Sequence, residues 1–313
     1  MPAQNRPPPT RSRQWAHDDE LAVSDPMIPG GPFTKVLVGV DGRQGGRDAL
    51  ALARQLVSVD GEMAPAHVWF IDPTAPMWGP QVEHTAQRER ALERLASSLD
   101  GVDRGREIVS AAGASVGEGL HDLALERDAD LIAIGVCGRS ALNRLVVGDD
   151  ARSVLEHAPC PVAVAPAGYA EHAAALLEIG VGYDDSPESK AALVVARKLA
   201  AACDASLSAF QAVSAPAFVP DPWDVEDRVD RSVEDARRRI AALGGLEARA
   251  ACGSTVEQLA LYGASVDLVV LGTRPHGRIG RLLRQSTSHR LVRSARFPLL
   301  VVPCIGSAQL APA

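Results

Sequence analysis

The sequence has no apolar run that approaches a membrane span. Its longest, such as LLVV at 299–302, fall far short of the roughly 20 residues a crossing helix needs. It has no CxxC pair, and its five cysteines, Cys137, Cys160, Cys203, Cys252 and Cys304, are scattered and odd in number. A disulfide framework and a zinc site are thereby disfavoured, and a reducing, cytoplasmic setting is expected. Neither GxxxxGK followed by Ser or Thr nor an HxxH-like signature occurs, so an enzyme reading lacks its usual phosphate loop and metal motif. An excess of positive charge is missing too. With 32 Lys and Arg against 39 Asp and Glu the net charge is −7, which argues against a general affinity for nucleic acid or anionic membranes. No apolar stretch follows the early arginines, so no secretory signal is expected.

What is present fits a soluble globular chain: 313 residues, 46% hydrophobic and 23% charged, enough for two domains of about 130 to 150 residues. Residues 1–32 are rich in Pro and polar residues and carry little apolar surface to offset the entropy of ordering, so a disordered tail is expected there.

An internal repeat organises the rest. KVLVGVDGRQGGRDALALARQLV, from Lys35, matches EIGVGYDDSPESKAALVVARKLA, from Glu178. ADLIAIGVCGRSALNRLVVGDDARSVLEHAPCPVAVAP, from Ala129, matches VDLVVLGTRPHGRIGRLLRQSTSHRLVRSARFPLLVVP, from Val266, at a constant offset. The boundaries that follow are a first domain at 33–166, a linker at 167–176, a second domain at 177–305 and a short tail at 306–313. Within each copy, short apolar runs alternate with stretches of helical period. Strands are expected near 36–40, 65–71, 106–110, 130–135 and 161–165, and again near 178–183, 206–213, 247–251, 267–271 and 298–302. Ala49, Leu50, Ala53, Leu56 and Val57 repeat at three and four residues, as do Leu92, Leu95, Ala96 and Leu99. Strands too apolar for one wet face, alternating with helices, mean an α/β fold with parallel sheets covered on both sides.

The ordered set Gly135, Gly138, Gly148, spaced Gly-x2-Gly-x9-Gly, then HAPCPV at 157–162, with VGVDG at 38–42 and the repeat, resembles the universal stress protein family in tandem two-domain form, over about residues 33 to 304. The resemblance implies two doubly wound five-stranded sheets in strand order 3-2-1-4-5. It further implies an internal pseudo-dimer through strand five, which would protect both sheet edges. Nucleotide-binding members hold ATP in the crevice between strands 1 and 4, at the topological switch point. Carried onto this chain, the candidate site is Val40, Asp41, Gly135, Gly138, Gly148, Asp149 and Asp150 in the first copy, and Asp184, Gly272 and Ser286 in the second.

Both candidate sites depart from the family pattern. A phosphate cradle uses glycines for close backbone approach and a helix start for its free N–H groups. In the first copy Asp149 stands where ATP-binding members have Ser or Thr, and Asp150 follows. A carboxylate about 4 Å from a phosphate costs on the order of 4 kcal/mol at a surface-like dielectric. The helix terminus returns only about 0.3 to 1 kcal/mol, so repulsion wins unless Mg²⁺ sits between them. Asp149 is equally suited to cap a helix. In the second copy Pro275 and Gln285 replace the second and third glycines, while Arg274, Arg278, Arg281, Arg284, Arg290 and Arg293 form a cluster without an acid. Such a cluster suits either phosphate oxygens or an acidic partner surface. Trp78 and Trp223 precede the second helix of their copies, placed either to cover a cleft or to staple the helix. His157 and Cys160 are read as packing residues, and Cys137, inside the first loop, is the thiol to watch for oxidation.

The leading expectation is a cytoplasmic stress-response module with at most weak ATP binding, Mg²⁺ assisting, and with protein partners or a second copy as its readout. Two alternatives stay open: an enzyme that hydrolyses ATP or transfers its phosphoryl or adenylyl group, and a ligand-free interaction scaffold.

Overall fold

The computed structural model describes residues 31–70, 108–136, 149–214, 225–273 and 296–303, together with positions 89, 92, 93, 95, 290 and 291. In the first half β1 (Phe33–Gly39), β2 (Val57–Phe70), β3 (Val109–Gly113), β4 (Leu131–Gly135) and β5 (Val162–Ala165) alternate with α1 (Gln44–Leu56), α2 (Val116–Glu126) and α3 (Asp149–His157). The second half carries β6 (Glu178–Gly182), β7 (Ser206–Val213), β8 (Glu247–Cys252), β9 (Leu268–Thr273) and β10 (Leu299–Pro303). Its described helices are α4 (Pro187–Cys203), α5 (Val225–Ala241) and α6 (Thr255–Gly263).

The ten described strands join one sheet in the order β3-β2-β1-β4-β5-β10-β9-β6-β7-β8. Neighbours are parallel throughout except at the centre. There β5 and β10 run antiparallel, with Val164 opposite Leu299 and Val162 opposite Val301. The strand sequences explain why the sheet has no wet face. Val36, Leu37 and Val38 are consecutive and all buried. Val36 and Val38 pack with Ala49, Leu50 and Ala53 of α1, while Leu37 packs with Leu120 and Leu123 of α2. The layer on the α1 side extends from Phe33 to Ile240, so the two halves share one core.

One detail recurs in both halves. Asp130, just before β4, accepts hydrogen bonds from the backbone N–H groups of Thr34 at 2.7 Å and Lys35 at 3.0 Å. Asp267, just before β9, accepts from those of Leu177 and Glu178 at 2.9 Å each. These carboxylates give the opening N–H groups of β1 and β6 a partner that water would otherwise supply.

The halves differ where they are joined. Asp48 of α1 is fully buried and accepts the N–H groups of Gly168 and Ala170, each at 2.9 Å. This pins the 3-10 turn Tyr169–Glu171 onto α1. In the repeat register Ala191 occupies the matching place in α4, so the second half has no such clamp.

Two expectations are corrected. β2 begins at Val57, directly after α1, and not near 65. Phe33 pairs with Val57 and Lys35 with Glu62, so the extra residues bulge out of the ladder. Val59 in that bulge is 79% exposed, which is why no buried apolar run announced the strand. Gly31, assigned by the sequence to the tail, is buried, and a Cβ there would overlap the Leu56 carbonyl.

Candidate functional site

At the carboxyl ends of β1 and β4 the first half holds a cleft of about 100 Å³. Gly39, Val40 and Asp41 form one lip, and Ile134 and Gly135 the other. Val116 and Leu120 of α2 and Ala151 and Val154 of α3 make an apolar wall, while Gly45 and Gly46 of α1 contribute bare backbone. The position follows from topology: β1 and β4 are neighbours whose crossovers leave on opposite sides, which opens a crevice between their ends.

Gly135 is required here by packing. A Cβ on it would overlap the Gly45 carbonyl oxygen, so β4 and the first turn of α1 approach to backbone contact. Gly272 repeats the arrangement, with the Glu188 carbonyl oxygen in the place of that of Gly45. The first glycine of each motif thus sets the helix-to-strand distance.

Asp41 and Asp184 occupy matching turns. Asp41 Oδ1 accepts the Arg43 N–H at 3.0 Å, and Asp184 Oδ1 accepts the Ser186 N–H at 3.1 Å. The residue after each aspartate is left-handed, Gly42 at φ 75 and Asp185 at φ 68. Asp185 tolerates this through local hydrogen-bonding partners: it accepts from the Tyr183 hydroxyl and pairs with Lys190, both at 3.0 Å. Those two partners hold its carboxyl below the usual range.

The helices that follow these turns open differently. α4 has Ser186 as N-cap, its Oγ accepting the Ser189 N–H at 3.2 Å, with Glu188 in the first turn. α1 has neither a side-chain cap nor an acid in its first turn, which reads Gln44, Gly45, Gly46. Across the cleft, α3 begins with Asp149 and Asp150. Arg152 in the same helix has its Nε held 2.7 Å from Glu156 Oε1, one turn further along. Gly138, Gly148 and Ser286 lie outside the described residues, as do Trp78, Trp223, Cys137, Pro275, Gln285 and, Arg290 apart, the cluster of arginines. The structure therefore brings together Val40, Asp41, Gly135 and the start of α3, and separately Asp184 and Gly272. Cys160 is buried, and burial pushes its thiol up to about 12, which fits a packing residue rather than a nucleophile. Among the described residues no cluster of His, Cys, Asp and Glu could hold a metal ion, and no helix is long and apolar enough to cross a membrane.

The universal stress protein family model matches residues 32–166 and again 177–303. The chain belongs to the universal stress protein family. Similar proteins include universal stress protein Rv2005c of Mycobacterium tuberculosis (strain ATCC 25618 / H37Rv), 28% identical over 290 residues, 85% of this chain and 96% of that one. A universal stress protein of Thermus aquaticus is 33% identical over 131 residues, 39% of this chain and 95% of its own. Among solved structures, a universal stress protein from Archaeoglobus fulgidus DSM 4304 superposes with a TM-score of 0.62 at 16% identity, covering 86% of this chain and 98% of that one, a likeness of fold.

Within this universal stress protein, sequence reasoning missed Gly45, Gly46, Asp48 and His67. The His67 Nδ1–H donates to the Val40 carbonyl at 2.9 Å and ties the end of β2 to the lip of the cleft. The signal for the glycines was present: two adjacent glycines inside a helical period cost about 1 kcal/mol each relative to Ala, which asks for a reason in packing. In the second half Phe210, paired with Gly182 as Ala66 is with Gly39, stands in the place of Ala66 and stacks on Tyr262 with ring centroids 4.8 Å apart, while Gln211 takes the place of His67. Leu271 Cδ2 there lies 2.6 Å from where a Cβ on Gly182 would stand, whereas Ile134 Cγ2 keeps 3.3 Å at Gly39.

Proposed function

We propose that this universal stress protein is a regulatory, non-enzymatic stress-response module of the cytoplasm, whose first half binds an adenine nucleoside or nucleotide weakly and signals through protein contacts or a second copy. The observation that carries the reading is the cleft itself. Val116, Leu120, Ile134 and Val154 as an apolar wall, and Asp41 at the lip, suit a flat heteroaromatic base with a hydroxylated sugar beside it. The base end fits such a ligand. The phosphate end, where α3 starts with two aspartates, fits a phosphate only with a cation such as Mg²⁺ between them. The described residues of the second half suit such a ligand less well, since Leu271 crowds Gly182 and Ser186 caps α4.

Calorimetric titration of the full chain with ATP, with and without Mg²⁺, tests this. One site per chain is expected, with Mg²⁺ present. It should be lost in Val116→Trp, which fills the cleft, and kept in Thr255→Trp, the matching first residue of α6. No binding, or binding that Val116→Trp leaves intact in a folded protein, contradicts the reading.

A further inference from the structure

We propose that one position, Ala66 in the first half and Phe210 in the second, decides which half keeps an open cleft: Ala66 leaves room for a ligand, and Phe210, stacked on Tyr262, fills the same room from within. The inference rests on the reading of the first cleft as a ligand site and goes on to name the residue that confines that site to one half.

The two positions are equivalent in the sheet. Ala66 pairs with Gly39, and its carbonyl accepts the Val40 N–H at 2.8 Å; Phe210 pairs with Gly182, and its carbonyl accepts the Tyr183 N–H at 2.9 Å. Ala66 lines the first cleft beside Gly39, Leu120 and Ile134. In the second half Phe210, Leu259 and Leu271 stand in the places of Ala66, Leu120 and Ile134, and all three are buried in one apolar cluster. Phe210 is braced there. Its ring lies on that of Tyr262 with 17° between the planes. Tyr262 in turn is bonded to the Ser208 hydroxyl at 2.7 Å and lies under the Arg249 guanidinium, whose central carbon is 5.8 Å from the ring centroid. Gly180 gives that phenol its room, since a Cβ there would overlap it. The first half holds Leu37, Ala64 and Ala66 in the places of Gly180, Ser208 and Phe210. It holds Leu123 in the place of Tyr262, each at the same step along its helix from the serine N-caps Ser115 and Ser254. The exchange moves bulk along the strands. The second half gives way at Gly180 and fills the strand ends with Phe210, whereas the first half spends its bulk on Leu37 and leaves a methyl group beside the cleft. An aromatic ring in place of that methyl group is too large for a cleft of about 100 Å³ to stay open.

The test has two arms, both on the full chain and on variants that circular dichroism shows to be folded. In the first, adenosine is titrated against Ala66→Phe and against the transplant Leu37→Gly, Ala64→Ser, Ala66→Phe and Leu123→Tyr, which brings the compensating residues along with the ring. Each should lose affinity by about tenfold or more. In the second, backbone NMR follows the addition of xenon, an apolar probe that enters dry cavities. Saturable shifts at Gly182, Leu259 and Leu271 should appear in Phe210→Ala, or in Phe210→Val if the larger truncation unfolds the chain, and be absent from the wild type. Adenosine affinity unchanged in a folded Ala66→Phe or transplant overturns the inference. Xenon shifts at those three residues in the wild type, or none in the truncated variant, overturn it as well. A wild type that binds no adenosine contradicts the ligand reading of the first cleft instead, and the xenon arm then decides by itself whether Phe210 fills the second.

Discussion

Gly135 meets Gly45 backbone to backbone: the space a Cβ on Gly135 would need is filled by the Gly45 carbonyl oxygen. Gly272 meets Glu188 in the same way, so one steric rule serves both halves. Gly135→Ala and Gly272→Ala should each lower stability by about 1 to 3 kcal/mol, the cost of overpacking a rigid backbone contact. Denaturant midpoints check this. Gly39→Ala, where the nearest atom is the Ile134 Cγ2 at 3.3 Å, should cost clearly less.

Removing the acceptor that joins the halves should be felt at the linker. Asp48→Ala leaves the N–H groups of Gly168 and Ala170 without their partner, at a cost of about 1.5 to 3 kcal/mol for hydrogen bonds to a charged group. Amide exchange at Gly168 and Ala170 should accelerate more than at β5. Asp48→Asn, which keeps one acceptor, should fall between.

The second half carries a compensated pair. Gly180 occupies the register of Leu37, and the Tyr262 hydroxyl stands 2.5 Å from where its Cβ would lie. That hydroxyl is bonded to Ser208 Oγ at 2.7 Å in the buried core. Gly180→Ala should destabilise in the presence of Tyr262 and far less in the background of Tyr262→Leu. A thermodynamic cycle should therefore show coupling of about 0.5 to 3 kcal/mol.

Alkaline pH should weaken the fold before it disturbs an exposed protein of this size. Burial pushes Cys160, Tyr169 and Tyr262 up to about 12, from 9.0 for the thiol and 10.0 for the phenols. Between those values the unfolded chain has released protons that the folded chain retains. Stability is thus complete below about pH 9 and falls as pH rises toward 12. Urea midpoints taken from about pH 8 to about pH 11 should decline. Tyr262→Phe should flatten part of the slope while costing about 1 kcal/mol at neutral pH for the lost bond to Ser208.

The α/β fold was legible because its signals are local. Consecutive apolar residues such as Val36, Leu37 and Val38 report a strand covered on both faces, and the repeat then supplies every element twice. The start of β2 was not legible, because its first residues bulge and leave Val59 in water, so no burial pattern marks them. Of the site, Asp41 and Gly135 could be placed from strand ends alone. The clamp of Asp48 on Gly168 could not, since a side chain bonding backbone so far along the chain leaves no periodic trace. Gly45 could have been found: a glycine pair in the first turn of a helix signals close approach, and the partner, Gly135, was already singled out.

The most direct test is backbone NMR of the full chain titrated with adenosine. The account predicts saturable shifts at Gly39, Asp41, Gly135 and Ala151, with Gly182, Asp184 and Gly272 unmoved. Shifts confined to the second set, or spread equally over both, would contradict the claim that the first half alone holds the ligand.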